Sequence, residues 1–500
     1  MSYIPAQVLQ QTAFGELSAE SKTPQIQAKF PYGVNPRVVQ SLTNNASSTI
    51  TSSSGNCIVT CAGAADAFAQ IRSRRTLRYG PGQGALMLGT CLFTTGVANS
   101  SQVFGAGDDD EGFFWGYNGT SFGVLRRSGG SLEIRSISIT AGATNSGNIT
   151  ITLDGTAVVV AVTAGDTIAQ VVAKIVAQAT AFGNAGRGWE VHTDDNIGVE
   201  FISFVAEAAA GAFTFTDTGG TLVTAGAFST TVTGVAPTET WIALDSANAQ
   251  VVDPLDGTGP SGMTIDPTKG NVYSVKFQYL GYGAVEYGVE NPVTGKIVVA
   301  VRLRYANANT APTVRNPTFY LSAIAKTEAA YSGSTIVMKT ASMAGFIEGK
   351  DNVSGIRHSA TATKSISTTA NAVLILHNEL DFNSQVNRIT VYPVSMTFAS
   401  ESSKTTVFRI LKEPTIITGA VALTDVEAGV SVMQYSSTGT TVTGGRDVGT
   451  VVVSGGTSER VKFTDDEIIM LPGDRLVVTA YHTGGAAADV TVACSWIERI

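Results

Sequence analysis

Four consecutive acidic residues, Asp108, Asp109, Asp110 and Glu111, stand in the run GAGDDDEGFFWG. Several carboxylate oxygens on one flexible loop are what calcium, a hard oxygen-seeking cation, requires, so Asp108, Asp109 and Asp110 are candidate metal ligands. The spacing of an EF-hand is absent, and the plainer reading, a solvated acidic turn, is preferred. Trp115, Tyr117, Tyr279, Tyr282 and Tyr287 offer flat faces on which sugar rings could stack, with Trp115 and Tyr117 the candidate glycan contacts. Their alternation within strand-like runs argues instead for core positions. His192, His358, His377 and His482 fall on separate segments, and none lies in HExxH or beside a zinc-type cysteine pair. GYNGTSFG and GPGQG lack the GxxxxGK[ST] pattern and a following helix, so turns explain their glycines. Carboxylate pairs for glycoside cleavage cannot be chosen without a spatial separation. No catalytic residue emerges, and the chain reads as a structural or binding protein rather than an enzyme.

The elements that must position these residues are strands. The 500 residues are 43% hydrophobic, with 53 glycines and only 14% charged residues, against roughly 25% charged in an ordinary soluble domain. That is the composition of short strands and tight turns, and the length suggests several cores. A net charge of −8 and a pI near 5.2 argue against a nucleic-acid partner. The one basic group, Arg72, Arg74, Arg75 and Arg78, is expected to face solvent or a neighbouring subunit. Cys57, Cys61, Cys91 and Cys494 are too few and scattered for a disulfide framework; in CIVTC the two thiols would lie roughly 13 Å apart along a strand. No signal peptide and no run of apolar residues long enough for a membrane span is expected.

Residues 1–45 contain Pro5, Pro24, Pro31 and Pro36 in a polar run with little periodicity. They read as an extended docking arm anchored by Phe14, Phe30 and Tyr32. Apolar and β-branched runs cut by Gly, Asn and Asp then predict an antiparallel sandwich over 46–130 and 238–350. Between them, 131–237 has a different grammar. An Asp154-Gly155 hairpin is followed by GDTIAQVVAKIVAQATAFG, where Thr167 and Gln170 form a capping box and Ile168, Val171, Val172 and Ile175 recur at helical spacing. This predicts an inserted α+β module. From 355 to 500 the strands return with the turn spacing of a jelly roll, closed by a final strand that places Val490, Val492, Cys494 and Trp496 on one face. The fold class expected is mainly β: two β-sandwich or jelly-roll domains, with a small α+β domain inserted in the first.

RSRRTLRYGPGQG, FTTGVANSSQVFGAGD, GFFWGYNGTSFGVLRR and LDGTGPSGMTIDPTKGNVYSVKFQYLGYG resemble a family of virion structural proteins of tailed bacteriophages. In that family an FGEL-like leader, matched here by Phe14 to Leu17, precedes a concanavalin-like sandwich, and PGDRLVVTAY and VTVACSWIERI resemble the ends of jelly-roll domains in phage fibres and head decorations. The resemblance implies a fibre, appendage or decoration protein, made in the host cytoplasm and carried in the virion, docked to other virion proteins through residues 1–45. The sandwich and its aromatics leave a second reading, an adhesin for host surface glycans. A homotrimer is the expected assembly, since closed rotational symmetry buries matching faces. No cofactor is implied beyond calcium at Asp108–Asp110.

Overall fold

The computed structural model describes residues 22–245, 247–350, 355–419, 421–463 and 468–499. The chain is mainly β, 51% strand and 3% helix, and it divides into two compact units.

The first unit takes its residues from Met1–Leu132, Phe204–Ala208 and Gly234–Asp351. One sheet has six strands in the order Lys22–Lys29, Ser342–Glu348, Ala85–Cys91, Asn271–Phe277, Val285–Glu290 and Ile297–Leu303. The other has seven, in the order Thr238–Ala243, Ser121–Ser128, Gly112–Asn118, Ser100–Gly107, Leu321–Thr327, Phe68–Ser73 and Val39–Thr43. Every pairing in them is antiparallel. Inward residues of both sheets, among them Met87, Tyr273, Val275, Phe104, Phe113 and Trp115, meet in one core, which is the sandwich that the alternating runs demand. Cys57, Cys61 and Cys91 are buried free thiols in that core; burial pushes Cys57 and Cys61 up to about 12.

The expected arm is corrected here. Lys22–Lys29 is an edge strand paired with Ser342–Glu348, and Val39–Thr43 is an edge strand of the larger sheet. Ile26, Ala28 and Phe30 are buried at period two. That short alternation is weak beside four prolines, yet Pro24 sits at a register shift on an edge, one of the places where a strand tolerates it. Residues 1–21, with Phe14, lie outside the described residues.

The second unit comprises Glu133–Ser203, Ala209–Thr233 and Asn352–Ile500. Thus the inserted module groups with the C-terminal jelly roll and does not stand alone. In the module, Gly147–Leu153 and Thr156–Val162 pair across Asp154 and Gly155, both at positive φ (49° and 79°) as a two-residue hairpin requires. The helix Ile168–Val176 begins at the Thr167–Gln170 capping box and buries Val171, Val172 and Ile175. It stops earlier than its periodicity predicts, and Ala179–Gly183 forms a separate short helix.

The jelly roll stacks Ile356–Ile366, Ala488–Glu498, Val391–Ser400 and Ser458–Lys462 as one sheet. The other sheet has the order Thr424–Asp425, Met433–Ser436, Asn371–Asn378, Arg475–His482, Thr406–Lys412 and Arg446–Val453. Val490, Val492, Cys494 and Trp496 of the closing strand are all buried, as its alternation predicts. Trp496 is fully buried in this core, and its indole Nε1 donates to Glu498 Oε1 at 2.9 Å. Trp496→Ala should cost about 3–5 kcal/mol, read as a lowered urea midpoint for the transition of this unit; a midpoint unchanged from the parent chain would contradict the assigned face.

Candidate functional site

The acidic turn connects Ser100–Gly107 to Gly112–Asn118. Gly107 and Gly112 are register partners at φ +150° and +154°, and a Cβ on Gly112 would lie 2.5 Å from both Ala106 O and Gly107 Cα. The glycine pair therefore lets two backbones close tightly beneath Asp108–Glu111. Asp108 N donates to Glu111 O at 2.9 Å and closes the turn.

All four acidic residues are buried, so the solvated turn is corrected as well. Asp108 accepts from Gln70 Nε2 at 2.8 Å and pairs with Arg72 Nη1 at 2.5 Å. Arg72 is thus buried, which corrects the expectation that the basic group faces solvent or a neighbouring subunit. Asp109 Oδ1 lies 3.1 Å from Arg127 Nη1, and its Oδ2 lies 3.3 Å from Lys326 Nζ and accepts from Ala206 N at 2.9 Å. Asp110 Oδ1 accepts from Glu111 N at 2.7 Å. Glu111 accepts from Gly129 N at 3.0 Å and Asn316 N at 2.8 Å, and pairs with Arg315 Nε at 3.1 Å. The calcium assignment to Asp108, Asp109 and Asp110 fails on this geometry: their oxygens diverge toward arginine, lysine and backbone N–H groups. Among the described residues no group of three or more His, Cys, Asp or Glu is arranged to hold a metal ion.

Arg127, 1% exposed, is the hub. It donates to Asp108 O at 3.1 Å and to Glu239 Oε1 through Nε at 2.9 Å and Nη2 at 2.6 Å. Burial opposes its charge, but Asp109, Glu239 and Asp108 outweigh burial and hold the guanidinium above its usual range. Glu239 is partly exposed, and although what desolvation it meets would raise its carboxyl, Arg127 holds it below the usual range.

The candidate glycan contacts are also corrected. Trp115 is fully buried, its Nε1 donating to Ser274 O at 3.1 Å, and Tyr117 is buried against Phe93 and Phe122. Tyr287 is buried and donates to Leu125 O at 3.1 Å, while Tyr279 and Tyr282 donate to Val314 O and Thr310 O. Of the described arm anchors, Phe30 is in the core and Tyr32 is wholly exposed.

A second charged cluster, in the other unit, has no motif. One polar row crosses the jelly-roll sheet: Asp425 opposite Gln434, Gln434 opposite His377, and His377 opposite Arg475. Glu413 ends it, its Oε1 accepting from Arg475 N at 2.8 Å. These side chains share the face of Ile375 and Val477, away from the main core that holds Leu376 and Leu476. The module's turn Thr193–Ile197 covers the row. Arg475 Nη1 donates to Asn196 Oδ1 at 3.1 Å, and its Nη2 to Pro414 O at 2.8 Å. Asp194 Oδ1 accepts from Asp195 N at 2.7 Å, and Asp195 Oδ1 accepts from Ile197 N and Gly198 N at 2.7 and 2.6 Å.

Acidic residues dominate this cluster. Burial, then Asp194, Asp381, Glu379 and Asp195, push Glu200 up to about 8. Burial, then Asp425, Asp381 and Asp194, push Glu379 up to about 8. Burial and Asp194 raise Asp195 to about 6; desolvation of its carboxyl group and Asp474 raise Glu413, an otherwise exposed residue, to about 7; burial raises Asp381. Burial and Arg475 push His377 down to about 3. The sequence offered one signal, unused: charged and polar residues at His377 and Arg475, where period two in VLILHN and DRLVV calls for an apolar residue.

No family model matches the chain, and no curated protein matches it. Solved structures that resemble it include the carbohydrate recognition domain of Emp47p, at 9% identity and a TM-score of 0.25, covering 67% of this chain and 100% of that one. The potassium-bound carbohydrate recognition domain of Emp46p matches at 9% identity and a TM-score of 0.22, covering 65% and 96%. A protein described by the triple jelly roll fold and turret assembly in an archaeal virus matches at 6% identity and a TM-score of 0.18, covering 97% and 98%. Similarities this distant carry no functional weight.

Gly112→Ala tests the turn. The added methyl meets backbone on the facing strand, so a loss of about 1–3 kcal/mol is expected in chemical denaturation; a neutral substitution would contradict the close approach.

Proposed function

We propose that the chain is a non-enzymatic structural component of a bacteriophage virion, a fibre, appendage or decoration protein. The observation that carries this reading is the fate of the groups with chemical potential in the first unit. Asp108 to Glu111 brace the strands through Arg72, Arg127, Lys326 and Arg315, and Trp115 and Tyr117 are spent on the core. A building block needs such internal bracing; a lectin or hydrolase needs these groups turned outward. The phage resemblance and the low charge support the same reading. No helix among the described residues is long and apolar enough to cross a membrane.

Attachment belongs, on this reading, to the segment before Lys22, because the residues that follow it are committed to the two sheets. Assembly as a homotrimer fits the three-fold and six-fold sites of such particles. Deleting residues 2–21 tests this. The expected result is full-length chain at fixed stoichiometry in purified particles, and a truncated chain that folds but is depleted at least about tenfold, a difference of about 1.4 kcal/mol in docking. Absence of the full-length chain from particles overturns the assignment, and reproducible binding of purified chain to a glycan array moves it to an adhesin.

A further inference from the structure

The seam between the inserted module and the jelly roll is charged in a way that the bracing of the sandwich is not. Asp194, Asp195 and Glu200 come from the module; Glu379, Asp381, Asp425, Glu413 and Asp474 come from the jelly roll. Three cations among the described residues stand beside them. Arg475 is committed to Asn196, to the carbonyls of Pro414 and Asp194 and, through its backbone, to Glu413. Lys412 is paired with Asp474 at 2.6 Å. His192 sits opposite Glu200 in the sheet, with Nε2 3.9 Å from Glu190.

A second observation is independent of the carboxylates. Two buried polar groups here have no hydrogen-bond partner: His377 Nδ1 and Asn196 Nδ2, on residues each 2% exposed. Both belong to the contact itself, Asn196 as the residue that Arg475 grips and His377 as the neighbour of Arg475 in the row. A buried polar atom left unpaired costs free energy, so these two atoms weaken the seating of the turn Thr193–Ile197 on the sheet.

We propose that this seam is a proton-operated latch: the module's turn Thr193–Ile197 stays seated on the jelly-roll sheet while Asp195, Glu200, Glu379 and Glu413 carry protons, and it loosens as they ionise and repel the carboxylates around them. The sign follows from linkage. The folded chain keeps its protons up to about pH 6 on Asp195, about 7 on Glu413 and about 8 on Glu200 and Glu379, whereas an unfolded chain releases them near pH 4. The folded state therefore binds more protons through that window, and the seam's stability falls as pH rises from about 4 to about 8. His377, neutral above about 3, does not titrate there. The latch concerns the internal organisation of one unit and stands whether or not the chain belongs to a virion.

Hydrogen exchange of the full chain at about pH 5.5 and 8.5, corrected for the intrinsic rate, tests it. Protection of Trp189–Ser203 and of the start of Arg475–His482 should fall about tenfold or more at the higher pH, while Ser100–Gly107 in the sandwich is unchanged. In the chain carrying Glu200→Gln and Glu379→Gln the fall should shrink below about threefold, since an amide cannot ionise. Should that double variant not fold, Glu379→Gln alone is expected to give an intermediate fall. Equal protection at both pH values, a loss shared by the sandwich, or a variant as sensitive as the parent chain would overturn the proposal.

Discussion

The first unit depends on one buried guanidinium. Arg127 lies under Phe114, its Cζ 5.5 Å from the ring centroid, and joins the acidic turn to the strand that carries Glu239. Those two partners lie on either side of the inserted module in the chain. Around the same turn, Gly130 N donates to Asp110 O, Ser131 bridges Val235, and Ala206 N donates to Asp109 while Phe204 stacks on Phe68 at 6.3 Å. The departure of the chain toward the module, its brief return at Phe204–Ala208 and its final return near Gly234 are thus fastened at one place. Burying these charges is costly, and an apolar replacement of the whole set could be as stable. What the charges add is selectivity: each carboxylate accepts only particular donors, and a shifted strand would leave a charge unpaired.

The two charged clusters make opposite use of the same residue types. In the sandwich, Asp108, Asp109 and Glu111 meet Arg72, Arg127, Lys326 and Arg315 at 2.5 to 3.3 Å, so the network is close to neutral. At the seam in the other unit, carboxyl groups from two sources face one another with Arg475 and Lys412 already committed. Coulomb repulsion there adds to desolvation instead of offsetting it. One cluster fixes a geometry, and the other makes a contact conditional on its protons.

Much of the architecture was legible. Strand runs, the Asp154-Gly155 hairpin, the Thr167–Gln170 capping box and the buried face of Val490 to Trp496 are local signals, and local signals survive into the fold. What failed was context. Ile26, Ala28 and Phe30 alternate too briefly to outweigh the surrounding prolines, so two edge strands read as an arm. Asp108 to Glu111 look solvated because their partners, Arg72, Arg127, Lys326 and Arg315, are spread over more than two hundred residues of sequence. The polar row at the seam showed only as breaks in the apolar pattern at His377 and Arg475, for the same reason: register, not spacing, brings His377 beside Arg475 and Gln434.

The central claim is that the acidic turn is an internal brace and not a ligand site. A double-mutant cycle with Arg127→Met and Asp109→Asn, read by equilibrium unfolding, measures it most directly. A brace predicts that each single change is costly, because it leaves a buried partner uncompensated, and that the pair together costs less than their sum by about 1.5–3 kcal/mol. Additive effects, with a coupling energy near zero, would show that the two groups do not depend on each other and would contradict the account.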